Sequence, residues 1–472
     1  MVAKTDNTNY IGNTTKIKGS TMLLQFSVEN FLSFNKETTL NMIPTKRKKH
    51  RDHILEDKQG KKIQSLPIAA IYGANASGKS NLVKAFKFSK DLIINGTRGN
   101  ESIDTIAFKL DSKCDKKPSR FEYIFKIKGV IYTYGFAVTQ KHVEEEWLFA
   151  NFTNREVMLF ERTTRNGKAV IEFGNKLAEK GRDRSILDFI KETTRPNQLF
   201  LTESYEKNIE KLKAIYEWFY YNLIIIFPDA KYRKLRIDAY TNLKFIENLK
   251  EFLRKADTGI QMIKLDTEKL KLESIFADMP GEMIKNIKDD LSNVPTEKPI
   301  SFYVNGKLYS VIKDKDGEAH LISSLSFFHK DNEGNHIKFK TEEESDGTQR
   351  LMHLYPALLH LQEDENTYII DEIDRSMHPL LCKFFIEIFL KTSLAKKSRG
   401  QLIVTSHQTC LFDGDLLRSD ELWLVEKDEN GSSSLSSLVE YRIRNDLRID
   451  KSYLNGRFGA IPVIEPFFNM DN

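Results

Sequence analysis

Residues 73–80 read Gly-Ala-Asn-Ala-Ser-Gly-Lys-Ser, two glycines and a lysine-serine pair at the spacing that wraps a chain of phosphates. Gly73 and Gly78 let successive backbone N–H groups face an anion, and Asn75 lies in the turn between them. Lys79 would reach the terminal phosphates, and the Ser80 hydroxyl would ligate Mg2+. Such a loop needs a strand before it and a helix after it. The apolar run Leu66–Tyr72 supplies a buried parallel strand, and Leu82, Val83, Ala85 and Phe86 supply the apolar face of a helix. The loop binds a nucleoside triphosphate, yet by itself it does not separate kinase, GTPase, motor and ATPase.

The second half of the chain narrows the choice. Thr367–Ile370 reads as a strand that ends in Asp371-Glu372. Asp371 is placed to hold the water shell of Mg2+, and Glu372 to polarise an attacking water as general base. An apolar pair followed by Asp-Glu also occurs in ordinary helices, so the neighbours decide. Upstream, Ser345-Asp346-Gly347-Thr348-Gln349 opens an amphipathic helix carrying Leu351, Leu354, Leu358 and Leu361. A serine and a glycine at a helix N-terminus make a second cradle for an anion. Downstream, the buried-strand run Gln401–Ser406 ends in His407. A lone histidine after a strand is ordinarily structural; its place in this series assigns it to the phosphates.

Composition bounds the rest. At 472 residues the chain has length for roughly three domains. Seventy-two Lys+Arg against 67 Asp+Glu leave a net charge of +5, which excludes a whole-surface polyanion binder and leaves room for a local basic groove. Cys114, Cys382 and Cys410 are too few and too scattered for a disulfide framework or a cysteine zinc site, in keeping with a reducing, cytoplasmic setting. No apolar stretch approaches the ~20 residues of a membrane span. Residues 1–21 are rich in Asn, Thr and Lys and read as a disordered leader, with Met22 a candidate start.

Leu24, Phe26 and Val28 alternate as in an edge strand, and residues 105–175 hold several strands divided by turn signals at Lys128-Gly129 and Asn166-Gly167, a meander. From Glu203 to Val294 the period turns helical, with Ile209, Leu212, Ile215, Tyr216 and Phe219, then Leu243, Ile246, Leu249 and Leu253. Pro228 and Pro280 interrupt it, so long coiled-coil arms are not expected. Residues 300–340 read as hairpins, with turns at Asn305-Gly306, Asp316-Gly317 and Glu333-Gly334. His329, Asn332 and His336 belong to a polar hairpin tip rather than to a nuclease motif. The basic run Lys46–Arg51 is a solvated loop face or a contact for a nucleic-acid backbone.

In its order of motifs the chain resembles the ABC-type ATPase head shared by SMC, RecF and OLD proteins. More closely, it resembles the RecF/SMC-type AAA-family ATPases of bacterial abortive-infection and phage-defence operons. The segments that carry the likeness are Phe26–Phe31, Gly73–Ser80, Ala256–Ile260, Glu344–Leu351, Asp371–Pro379 and Tyr453–Pro462. The resemblance implies an α/β fold: an ABC-type ATPase head, that is, a P-loop NTPase with a mixed β-sheet lobe, and an inserted helical domain. On that plan the leader is 1–21 and the first ATPase lobe 22–200. A helical insertion at 201–296 and a hairpin insertion at 297–340 follow, and the second lobe is 341–472.

The resemblance also implies ATP and Mg2+ as cofactors, ATP hydrolysis, and a homo-oligomer formed through the heads. Ser345–Gly347 would contact in trans the γ-phosphate held by Gly73–Ser80 of a second copy. Glu372 would be the base, His407 the switch that reads the γ-phosphate, and Asp374-Arg375-Ser376 the loop crossing the interface. Gln198 would be the glutamine loop. The implied role is a nucleotide-switched sensor or scaffold in antiphage defence, acting with a separate effector nuclease or toxin from the same operon. The alternative is a RecF-like DNA-binding repair or clamp ATPase. One departure stands out: the usual signature has two adjacent glycines, and Asp346 takes the first place.

Overall fold

The computed structural model describes residues 9–10, 20–57, 63–153, 155–178, 182–269, 285, 289, 300–304, 307–313, 319–363, 365–396, 398–441 and 448–462. The chain divides into two compact units. The larger comprises Asn13–Asp229, Ala357–Asp374 and Cys382–Asn472; the smaller comprises Met1–Gly12, Ala230–Pro356 and Arg375–Leu381.

A six-stranded sheet forms the centre of the larger unit. Its spatial order is Leu223–Ile226, Thr367–Ile370, Gln401–Thr405, Ile68–Tyr72, Leu422–Lys427, Ser433–Ser437. The first five run parallel and the last returns antiparallel. Parallel strands are covered on both faces and therefore read as continuous apolar runs. Every residue of Ile68–Tyr72, Thr367–Ile370 and Gln401–Thr405 is buried.

The edge strand Leu223–Ile226 lies inside the block expected to be a helical insertion, so the structure divides 201–296 differently. Helices Phe200–Glu206 and Glu210–Glu217 run through a π-turn at Trp218–Asn222 into that strand, all within the larger unit. Three consecutive isoleucines favour an extended chain, and pairing with Thr367–Ile370 decides it. Helices Leu235–Thr241 and Leu243–Lys255 belong to the smaller unit. Most of 270–299, with Pro280, lies outside the described residues.

A second, seven-stranded antiparallel sheet in the larger unit has the order Lys168–Phe173, Val157–Arg165, Val143–Asn151, Val130–Val138, Ser119–Ile127, Thr21–Glu29, Thr38–Asn41. The meander is the one its turn signals predict. Lys128 and Gly129 have φ of 48° and 86°, and Asn166 and Gly167 have 51° and 72°. Positive φ at both central residues is the backbone that matches strand twist in a two-residue hairpin. The helix Lys79–Asn95 buries Leu82, Val83, Ala85 and Phe86 in the core of this unit, with Phe86 stacked on Phe26 at 3.7 Å and Phe125 on Trp218 at 4.3 Å.

One buried side chain ties the two sheets together. Gln401 Nε2 donates to the carbonyls of Leu23 and Leu66 and to Ser65 Oγ, at 2.8–3.1 Å, while its Oε1 accepts the Leu23 N–H at 2.6 Å. The strand Thr21–Glu29 starts within the segment expected to be a disordered leader, and Ser20 and Thr21 are buried. Asn9–Tyr10 pairs in parallel with Lys231–Tyr232 in the smaller unit. The leader's remaining residues lie outside those described.

The C-terminal segment folds back onto the strand that leads into residue 73. Tyr453 stacks on Phe412 at 4.4 Å, and Phe412 packs on Tyr72 at 4.1 Å. The Tyr453 hydroxyl donates to the Ala460 carbonyl at 3.0 Å, and the Ala460 N–H donates to Glu426.

The smaller unit holds an antiparallel sheet in the order Met262–Lys269, Ala319–Lys330, Lys307–Lys313, Ile300–Val304, with His336–Lys340 paired to Ala319–Lys330. The turn at Glu333-Gly334 is closed by Asp331 Oδ1, which accepts the N–H groups of Glu333 and Asn335 at 2.9 and 2.8 Å. Asn305-Gly306 and Asp316-Gly317 lie outside the described residues.

Gln401→Leu fills the same space without the amide, leaving buried partners unsatisfied. It is expected to destabilise the protein by about 2–4 kcal/mol, measured as a lower urea midpoint. An unchanged midpoint would refute the joint.

Candidate functional site

Register puts the candidate residues on one edge. Ile71 pairs with Thr405, and Ile370 with Val404. The N–H of Asp371 continues the ladder to the Ile226 carbonyl at 2.9 Å, and that of Ser406 to the Ile71 carbonyl at 3.0 Å. Gly73, Asp371 and His407 therefore leave the sheet side by side at the carboxyl ends of its parallel strands, where ligands bind in open α/β sheets.

The loop 73–80 is shaped by close approach. A Cβ on Gly73 would strike the Val425 carbonyl and Ser77 Oγ, and one on Gly78, whose φ is 120°, would strike Ser433 Oγ. Ser433 Oγ donates to the Ser77 carbonyl at 2.5 Å, the Ser433 N–H donates to the Ser33 carbonyl at 2.7 Å, and Asn81 Nδ2 donates to Ser33 Oγ at 2.9 Å. Asn75 is exposed at the tip of the loop.

Lys79 opens the following helix and is 5 % exposed. Its Nζ donates to the carbonyls of Gly73 and Ala74 at 2.7 and 3.0 Å and lies 3.5 Å from His407 Nδ1. Burial lowers its pKa to about 8 against the opposing pull of Asp371, Asp374 and Glu372. Burial also pushes the His407 pKa down, and the Lys79 charge adds to it. The neutral imidazole accepts from Lys79 at Nδ1, which assigns its proton to Nε2.

Ser80 Oγ donates to Asp371 Oδ1 at 3.2 Å. The same carboxylate oxygen accepts from Thr405 Oγ1 at 2.6 Å, and Thr405 Oγ1 in turn accepts the Glu372 N–H at 2.7 Å. Glu372 has a left-handed φ of 45°, a strained backbone for a residue with a Cβ, of the kind that collects at functional sites. Asp374 Oδ2 accepts the His407 N–H at 3.0 Å.

Ser345 and Gly347 lie in the smaller unit. Ser345 caps the helix Asp346–Glu363: its Oγ accepts the Thr348 N–H at 3.2 Å and meets Thr348 Oγ1 at 2.9 Å. A Cβ on Gly347 would come within 2.7 Å of the Ser376 carbonyl in the same unit, so only glycine admits that carbonyl this close. Ser345 and Asp346 are exposed.

Gln198 is elsewhere. It is 2 % exposed and its Oε1 accepts from the Thr97 N–H at 2.7 Å, beside Gly96 at the C-terminal end of helix Lys79–Asn95. Seventeen residues at 1.5 Å each put it roughly 25 Å of helix away from Lys79. The expectation of a glutamine loop at Gln198 is corrected accordingly: this amide closes a helix end. Thr405, Ser33 and Ser433 are the residues that reading the sequence missed. Only Thr405 left a signal, as the last strand residue before Ser406-His407.

Thr405→Val keeps the shape and removes the hydroxyl. It is expected to lower the ATP turnover rate more than tenfold, with most of the rate kept in Thr405→Ser; equal turnover in Val and wild type would refute the bridge. A second expectation follows from Lys79. Phosphate favours the charged amine, so below its pKa of about 8 the free protein already carries the proton, and above it binding must take one up. ATP affinity should therefore fall as pH rises past about 8, by up to about tenfold per unit. Calorimetry in buffers of different ionisation enthalpy should show the matching proton uptake.

Residues 68–413 match the model of the family described as "AAA domain, putative AbiEii toxin, Type IV TA system". Among curated proteins the sequence has no match. Two solved structures are similar to the chain. The SMC head domain from Thermotoga maritima is 12 % identical, with a TM-score of 0.35, 88 % of this chain and 98 % of that chain covered. The SmcHead bound to the C-winged helix domain of ScpA is 13 % identical, with a TM-score of 0.36, 88 % of this chain and 97 % of that chain covered. No helix among the described residues is long and apolar enough to cross a membrane. With a family match over more than half its length and the phosphate loop, carboxylate pair and histidine on one sheet edge, the chain belongs to this AAA-domain family of the AbiEii type.

Proposed function

We propose that the protein binds and hydrolyses ATP with Mg2+ at Gly73–Ser80 and uses nucleotide state as a switch in antiphage defence, governing a separate effector nuclease or toxin. One observation carries the reading: Ser80, Asp371 and Glu372 meet in a single network through Thr405, on the sheet edge where Lys79 is held by the carbonyls of Gly73 and Ala74. The donor set suits the cofactors. A serine hydroxyl 3.2 Å from a carboxylate offers the hard oxygens Mg2+ selects, and the glycine-bounded loop at a helix N-terminus suits phosphate. When bound, Mg2+ supplies neutralisation of charge on the β- and γ-phosphates.

The chain's own groups do the rest. Lys79 exchanges its contact with His407 for a phosphate oxygen, and the Nε2 proton of His407 is available to the γ-phosphate. Glu372 accepts a proton from the attacking water. Ser345, exposed at a helix N-terminus, meets the γ-phosphate held by a second copy, so that ATP closes a dimer of heads and hydrolysis opens it. The defence role draws on the description of the family. Within the larger unit Arg47 meets Ser419 at 3.4 Å, and Lys49 of the basic run forms an exposed pair with Asp415 at 2.8 Å.

Glu372→Gln is expected to keep ATP affinity and to lower turnover at least about 100-fold. Light scattering on a sizing column should show its mass rise with Mg-ATP. A monomer with and without nucleotide would sink the clamp, and wild-type turnover would sink the assignment of the base. DNA-stimulated hydrolysis with salt-dependent duplex affinity would favour the repair reading instead.

A further inference from the structure

The sequence His50-Arg51-Asp52-His53 ends the basic run, and Arg51–His53 forms a single tight turn in the larger unit. The side chains of His50, Asp52 and His53 offer ligand atoms within 4.8 Å of one another. We infer that these three residues form a divalent transition-metal site, suited to zinc, that is separate from the nucleotide site.

The outer hydrogen bonds carry the inference. His53 is buried, and its Nδ1 lies 3.0 and 3.1 Å from the two carboxylate oxygens of the wholly buried Glu421. An acceptor there holds the imidazole proton on Nδ1 and leaves the lone pair on Nε2. His50 Nε2 lies 3.1 Å from the Gly414 carbonyl. A carbonyl only accepts, so the proton is on Nε2 and the lone pair on Nδ1. Each ring thus has its tautomer set by an acceptor outside the cluster and keeps one nitrogen for a metal, which is how second-shell carboxylates and carbonyls prepare histidine ligands.

Geometry and charge agree. The two ring centres stand 4.9 Å apart. With Zn–N bonds of about 2.0–2.1 Å, two imidazoles on one tetrahedral ion have centres about 5 Å apart. Asp52 is exposed, and its carboxylate, within 4.8 Å of the histidine ligand atoms, would supply the third position, with water as the fourth. Two of the neighbouring cations are answered locally: Lys49 pairs with Asp415 at 2.8 Å, and Arg418 with Asp420 at 2.8 Å. Imidazole nitrogens with one carboxylate select zinc over Mg2+, whose preference is for oxygen. All three ligands come from one turn, and the hydrogen bonds of His50 to Gly414 and of His53 to Glu421 connect that turn to the segment 413–421, which leads into the strand Leu422–Lys427 beside the phosphate-loop strand.

The test uses the full chain, stripped with chelator, desalted and titrated with Zn2+ in excess Mg2+ so that oxygen sites are filled. Elemental analysis should find about one zinc retained per chain, and Co2+ should give the visible d–d absorption of a tetrahedral site. His50→Asn and Asp52→Asn, both at solvent-reaching positions, should each weaken zinc binding more than tenfold, and Glu421→Gln about 10–100-fold. Metal-free melting curves equal to wild type establish that His50→Asn and Asp52→Asn fold. The inference is overturned if wild type retains no more zinc than the His50→Asn/Asp52→Asn double variant, or if those single variants bind it as tightly as wild type.

Discussion

The hydroxyl of Thr405 ends a buried central strand and works in two directions: it donates to Asp371 Oδ1 and accepts the N–H of Glu372. Two neighbouring carboxylate residues at the end of the adjacent strand are thereby held in different states. Asp371 is drawn back toward Ser80 and the phosphate loop, whereas Glu372 is pinned by its backbone, with a left-handed φ that an unrestrained chain would leave. A one-residue slip between Thr367–Ile370 and Gln401–Thr405 would move Thr405 off this position. The parallel register is therefore the constraint on which the remaining geometry depends.

The phosphate loop is braced in a comparable way, by residues remote in sequence. Ser33, from the turn after the first long strand, and Ser433, from the last strand of the central sheet, meet under Gly78 and leave no room for a Cβ. These contacts hold only if the antiparallel and parallel sheets keep a common position, which Gln401 enforces through four hydrogen bonds to Leu23, Ser65 and Leu66. The stacked aromatic core between helix Lys79–Asn95 and the meander supplies apolar burial around that joint. The C-terminal segment, fastened to Glu426 and to the Tyr72–Phe412 pair, closes the same strand from another side.

Electrostatics at the site is a balance between burial and charge. Lys79 is surrounded by the influence of three carboxylates, each of which favours its charged form, and still ends below its ordinary pKa. Desolvation outweighs the carboxylates because the amine is enclosed by the loop's own carbonyls. His407, beside it, is kept neutral by the same burial and by the lysine charge. An amine with its pKa lowered to about 8, 3.5 Å from an imidazole whose pKa is also pushed down, makes the site responsive to the charge of whatever occupies it.

Gly73–Ser80, Asp371-Glu372 and His407 were legible in the sequence because each is a short contiguous pattern whose backbone demands are local: glycines at close approach, carboxylates at a strand end, a polar residue after a buried run. The hairpins at Lys128-Gly129 and Asn166-Gly167 were legible for the same reason, since positive φ is a property of two residues. What spacing along the chain does not encode is which strand lies beside which. That choice turned Leu223–Ile226 into a sheet edge instead of helix and sent Gln198 to the far end of a helix. It also placed Thr405 beside Asp371 and brought Glu421 to His53 across 368 residues of chain. Those pairings were decided by tertiary structure alone, because a hydrogen bond between distant segments exists only once burial has fixed the register of both.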